Sequence, residues 1–199
     1  SRQYWLLVIV YAVCGVQGFF VATHVVAFAL NQSAGPVLAG NMLALMGLTG
    51  LVGVVTSGIL ADAFGAARPT ALCFLMRIAI FVSVLYFQST AGIVVFALLY
   101  GFTFLITAPL TVVFATNIFG QARLGTVSGL ITMVHQIAGG LGAFVGAVIF
   151  DRWGGYDGAF LLMLVLSLVA MTVTLVVTSV VAALSRCSCK TIWSPALKW

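Results

Sequence analysis

Six apolar runs of membrane length constrain this chain more than any other feature of its sequence. They lie at about 4–30, 36–61, 70–87, 92–115, 126–150 and 159–183, and a bilayer core about 30 Å thick needs about 20 mostly apolar residues per helix. The third run is the shortest. None of them alternates polar and apolar residues with the period of two that a lipid-facing barrel strand requires. A water-facing surface is excluded as well, because 6% of the residues are charged against roughly 25% in soluble domains. The expected fold is an all-α membrane protein of six transmembrane helices over residues 1–183, with a C-terminal tail at 184–199 that shows no clear periodicity.

The net charge of +5 could suggest nucleic acid, but its placement points to the lipid bilayer as partner. With the N-terminus inside, Arg2, Arg68, Arg123, Arg186, Lys190 and Lys198 share the cytoplasmic side, and Arg152 alone lies opposite, beside Asp151 and Asp157. Such an excess of inner basic residues orients membrane proteins. Both termini are therefore expected in the cytoplasm, with the chain in a plasma or bacterial inner membrane. The first run is too long for the apolar core of a signal peptide. The chain opens on Ser1 rather than Met, so an upstream segment is expected. Cys187 and Cys189 form a C-x-C pair without histidine partners, which is a poor metal site. No metal, cofactor or catalytic residue is expected.

The loops are short. Pro36 and Pro69 each suit the first turn of a helix. Gly58, Asp62 and Gly65 follow the second run, and Gly146, Asp151 and Gly154 follow the fifth. With three helices per unit the second copy must be inverted, and a 3+3 inverted repeat is a construction principle of secondary transporters.

A polar side chain in hydrocarbon should turn toward protein or a water-filled cavity. Gln17, Thr23 and His24 lie in the first run, Asn41, Thr49, Thr56 and Ser57 in the second, and Thr103, Thr107 and Thr111 around Pro109 in the fourth. The fifth carries the clearest stripe: Gly125, Ser128, Thr132, His135, Gly139, Gly142 and Gly146, with Gln136 adjacent. The pairs Gly125/Gly129 and Gly142/Gly146 have the spacing of close helix contacts. Runs one, two, four and five thus face inward, and three and six are peripheral. The candidate solute site is Gln17, His24, Asn41, Thr107, Ser128, Thr132, His135 and Gln136. Either histidine can instead be an interhelical hydrogen-bonding group, and a histidine titrates near neutrality, so proton coupling is chemically open. Arg77 lies roughly eight residues, or about 12 Å, into the third run. Its stem can snorkel toward the cytoplasmic face or Asp62, a reading favoured here over an anion site.

The segment Gly58-Ile-Leu-Ala-Asp62-Ala-Phe-Gly65-Ala-Ala-Arg68 resembles the loop motif of the major facilitator superfamily. It departs in carrying alanine at the first basic position and a single terminal arginine. Phe119-Gly120, Gly125 to Gly129, His135 to Gly142, Phe150-Asp151 and Gly155-Tyr156 resemble the eleventh helix and following loop of monocarboxylate-porter-like members. Gln17-Gly18-Phe19-Phe20 with His24 is similar to their seventh helix. The resemblance extends to about Ala183 and covers the C-terminal six-helix half. It implies that helices one and four are central, two and five flanking, and three and six peripheral. It further implies gating roles for Gly58, Asp62, Gly65 and Arg68. The implied activity is alternating-access transport of a small organic solute, with a monocarboxylate and proton symport as options, beside an N-terminal six-helix partner.

Two alternatives frame this reading. One is a truncated, non-transporting membrane scaffold or receptor-like protein. The other is an intramembrane hydrolase using Ser128 and His135. These two are about 10 Å apart along one helix, whereas a nucleophile and its base must approach to about 3 Å.

Overall fold

The computed structural model describes residues 2–121 and 124–192, without the side chains of residues 2, 3, 118 and 177–192. The expectations placed on Arg2, Arg123, Arg186, Lys190, Lys198, Cys187 and Cys189 rest on residues or side chains outside the described ones. Among the described residues seven helices follow one another: α1 (Arg2–Asn31), α2 (Pro36–Phe64), α3 (Ala67–Tyr86), α4 (Thr90–Phe104), α5 (Thr107–Phe119), α6 (Leu124–Trp153) and α7 (Asp157–Ile192). The helix α7 continues past the boundary at 183 expected for the tail.

Among the described residues six spans are long and apolar enough to cross a membrane: Tyr4–Asn31, Pro36–Phe64, Ala67–Tyr86, Thr90–Asn117, Leu124–Trp153 and Asp157–Val176. Helices are the open-ended solution for such segments, because every backbone group must be satisfied without water. Local chemistry sets the ends. Pro36 occupies the first turn of α2, and the Ser89 hydroxyl accepts from the Gly92 N–H at 3.2 Å to cap α4. Gly65 ends α2 at φ +76°, its N–H bonded to the Ala61 carbonyl at 2.9 Å, a conformation that excludes most side chains.

The fourth span is α4 and α5 in series, broken at Leu105 and Ile106. Pro109 explains the break. It has no N–H to offer the Leu105 carbonyl, and its ring crowds that same carbonyl. The Ala108 N–H bonds Leu105 O at 3.3 Å, a turn tighter than the α-helix. The carbonyls at the end of α4 are thereby left free for other donors.

Helix α1 packs along α6, α2 along α4, and α3 along α7. The first two seams need glycine. A Cβ at Gly142 would run into the Val16 backbone, and one at Gly53 into the Phe102 carbonyl. Gly125 and Gly129 meet nothing within 4 Å among the described residues, so the close contact expected there is not seen among them. Burial ranks the spans. Over its most apolar window the first is 61% buried and the fourth 50%, whereas the second and fifth reach 22% and 17%. The first and fourth spans are the centre of this bundle.

Candidate functional site

Where α1, α5 and α6 meet, a cavity of about 80 Å³ is lined by Tyr11, Cys14, Phe19, Phe104, Thr107 and His135, among others. That exceeds the roughly 10–15 Å³ one water needs. Tyr11, Cys14 and Gly18 sit on one face of α1 at helical spacing. Thr107 opens α5 directly after the break. Its hydroxyl lies 2.7 Å from the Cys14 sulfur. The His135 ring leans on Tyr11 at 4.5 Å between centroids and meets Phe19 edge-on at 6.0 Å. Its Nδ1 stands 3.3 Å from the Gln136 side-chain oxygen.

Behind Cys14 is Arg77, whose side chain has no exposed surface. It donates from one terminal nitrogen to Gln17 Oε1 at 3.0 Å and to the Cys14 sulfur at 3.4 Å. The other terminal nitrogen reaches the carbonyls of Thr103 at 2.9 Å and Phe104 at 3.5 Å. Nε donates to the Thr103 hydroxyl at 3.4 Å. The guanidinium also lies over the rings of Phe74 and Tyr100, at 5.7 and 5.3 Å. The break at Leu105 makes this possible, since the freed carbonyls carry the partial negative charge of a helix C-terminus. The snorkelling expected of Arg77 does not occur: it turns inward, where neutral acceptors and ring faces replace water.

The structure divides the candidate residues. Thr107 and His135 share the cavity. Gln17 does not line it. It is fully buried, accepts from Arg77, and donates to the Met163 carbonyl at 2.9 Å and the Ser167 hydroxyl at 2.7 Å. With both ends of its amide engaged by protein, Gln17 bridges α1 to α3 and α7 in this structure. His24 is likewise engaged at both ring nitrogens, 2.9 Å from the Ala143 carbonyl and 3.2 Å from the Tyr156 hydroxyl. The carbonyl can only accept, so Nε2 carries the proton and Nδ1 receives the tyrosine O–H. Ser128 donates back to the Leu124 carbonyl at 2.7 Å. Asn41, Thr132 and Gln136 are exposed on the outer faces of α2 and α6.

The loop motif lies apart from the cavity, at the α2–α3 turn. Gly58 is half-buried in α2, and Asp62 and Gly65 are exposed. The exposed Arg68 stands over the Phe64 ring at 5.9 Å. Sequence reading missed Tyr11 and Cys14. The signal was available: with Gly18 they continue the Gln17 stripe at spacings of three and four, but one is aromatic and the other passes for apolar.

A helical bundle with six spans of membrane length, a broken helix and a small, mostly apolar cavity beside the break has the build of a multi-pass membrane protein. The chain belongs to the Major Facilitator Superfamily, whose family model matches residues 4–186. It is 31% identical over 148 residues to monocarboxylate transporter 13 of Rattus norvegicus, covering 72% of this chain and 34% of the relative. The Bos taurus protein of the same name is 28% identical over 146 residues, with the same two coverages. The chain thus spans about a third of the length of these curated relatives. Among solved structures it is similar to an auto-inhibited POT family peptide transporter, with a TM-score of 0.78 at 18% identity, covering 90% of this chain and 37% of that one. The E. coli fucose:proton symporter gives 0.74 at 17% identity, with coverages of 89% and 43%. At these identities the two structures speak for the fold.

Proposed function

We propose that this chain is the C-terminal six-helix half of a secondary transporter, and that the α1–α5–α6 cavity lies on the path of a small organic solute. The observation that carries the reading is the cavity itself, a mostly apolar hollow with Thr107 and His135 as its polar contacts, beside a broken helix. Discontinuous helices of this kind line solute sites in secondary transporters. The weakly buried faces of α2 and α6, with Leu48, Leu51 and Val55 on one and Ile137, Leu141 and Phe144 on the other exposed, suit an N-terminal six-helix partner. Alternating access would then be a rocking of the two halves around the cavity. The relatives' name makes a monocarboxylate the first solute to test. The basic residues at the inner loops and ends favour cytoplasmic termini.

His135 offers a route to proton coupling. With Nδ1–H directed to Gln136, its Nε2 is a lone-pair acceptor, and taking up a proton turns it into a donor for an anionic solute. In this reading no bond of the solute is made or broken, so the chain is no enzyme.

The test is uptake of radiolabelled lactate by the complete protein in cells. His135→Ala and Thr107→Val should each lower uptake at least about tenfold, equivalent to roughly 1.4 kcal/mol, with surface expression unchanged. Undiminished uptake by both variants would remove the cavity from the solute path.

A further inference from the structure

A second hollow, of about 340 Å³, lies at the α2–α3 turn, away from the α1–α5–α6 cavity. Leu60 and Phe64 line it from the end of α2, and Arg68, Pro69 and Leu72 from the start of α3. Leu60, Pro69 and Leu72 also border a narrower crevice, which carries the hollow inward to Met76, Phe102 and Ile106. Thr56 and Ser57 reach the crevice too, but their hydroxyls donate back to the Val52 and Val54 carbonyls at 2.8 and 2.7 Å. Together they make a groove with an apolar floor between two membrane spans and Arg68 at its mouth.

The groove opens toward lipid rather than toward the face of α2 assigned to an N-terminal half. Leu60 follows Val55 by five residues, which turns it about 140° around α2 from that face. On α3, Arg68, Leu72 and Leu75 are exposed at spacings of four and three, on the side away from the buried Cys73 and Arg77. Arg68 stands where the third span begins. It lies over the Phe64 ring at 5.9 Å, and among the described residues no carboxylate pairs with it, although Asp62 is exposed on the same turn. A free guanidinium heading an apolar groove complements a molecule with an anionic head and an alkyl tail. The guanidinium fork matches phosphate oxygens, and basic pockets between spans on the cytoplasmic side receive anionic phospholipids.

We propose that the α2–α3 groove binds an anionic phospholipid, with the phosphate on Arg68 and one acyl chain along Leu60, Leu72 and Met76. Its placement in the inner leaflet rests on the reading of cytoplasmic termini, and the site is independent of the solute cavity. Arg68 thereby gains a partner that the protein does not supply.

The experiment uses the complete protein in vesicles of equal parts phosphatidylglycerol and phosphatidylcholine, with bromine on the acyl chains of one lipid or the other. Phe64→Trp keeps a ring under Arg68 and reports which lipid occupies the groove by bromine quenching, after subtraction of the native tryptophan signal. Phosphatidylglycerol should be preferred about fivefold, the effect of one basic residue at an anionic surface. Arg68→Gln in the reporter protein should bring the ratio to about one, and Arg68→Lys should retain most of it. Tyr86→Trp, at the exposed far end of α3, should show no preference.

Equal quenching by both lipids at Phe64→Trp overturns the proposal, as does a preference that survives Arg68→Gln. The same preference at Tyr86→Trp would mean general attraction to the anionic surface and no site. Absence of quenching by either lipid would mean that protein covers the groove. Should Arg68→Gln fail to fold, the contrast between the two reporters decides without it. Both leaflets have one composition here, so the result does not depend on the orientation reading, and lactate uptake tests the transport reading separately.

Discussion

The seam between α1 and α6 holds two histidines, and they have opposite surroundings. His24 projects from α1 and is bonded at both nitrogens, to Ala143 of α6 and to Tyr156 beyond it. His135 projects from α6 toward α1, finds ring faces there, and borders an open cavity. Glycines close the seam at both ends, so the difference lies in what stands opposite each ring. Gly142 and Gly146 bring the helices together near His24, with Phe20 and His24 pressed against the Gly146 backbone. At the other end Gly15 brings the α1 backbone as close to that of His135, and the cavity opens to the side of the contact, where Tyr11, Phe19 and Phe104 line it and α4 stops short. One end of the seam is a lock and the other a pocket. A histidine's role here follows from what faces its ring: a carbonyl and a hydroxyl for His24, aromatic faces and a cavity for His135.

The largest expected effect comes from forcing the locked end apart. Gly142→Val places a branched side chain against the Val16 backbone, where overpacking costs about 1–3 kcal/mol or more. The variant should lose its monodisperse peak in fluorescence-detected size exclusion; a normal peak would show that the seam tolerates separation. Next is His24→Ala, which strips Tyr156 of its partner at the lock and should cost about 1–3 kcal/mol. Its thermal unfolding should move down while KM for the solute stays at the wild-type value. A shift in KM with unaltered unfolding would instead make His24 part of the solute path and erase the contrast with His135.

Much of the fold was legible because membrane length and apolarity are local properties. All six spans could be read from runs of residues, and the break in the fourth has a local cause in Pro109. The locking glycines of α6 were legible by spacing, whereas Gly125 and Gly129 have the same spacing and no neighbour within 4 Å among the described residues. What could not be read was which faces meet. Arg77 reaches carbonyls that are free only because a proline six residues beyond Thr103 interrupts another helix. That coupling joins α3 to α4 through space and leaves no periodic trace. Gln17 and His24 carried the same polar signal as His135. Their satisfied state depends on Ser167, Met163 and Tyr156, which belong to distant parts of the chain.

The smallest effect should come from trimming the lock by one atom. Tyr156 lies between α6 and α7, outside the spans, and its phenol is pushed above the usual tyrosine range, first by burial and then by the nearby Asp151 carboxylate. The folded state therefore holds this proton more tightly than the unfolded chain, which releases it near pH 10. The resulting stabilisation is fully present below about pH 10 and fades as pH rises through the higher folded value. Tyr156→Phe keeps the ring stacked on Phe150, at 4.7 Å in the parent, and removes the hydroxyl that His24 uses. At neutral pH it should cost about 1 kcal/mol or less. Its unfolding temperature should also decline less steeply than the wild type's between about pH 9 and 11. Parallel alkaline limbs for the two proteins would mean that the hydroxyl is solvated rather than locked. His24 would then have one partner instead of two, and the lock would reduce to its glycines.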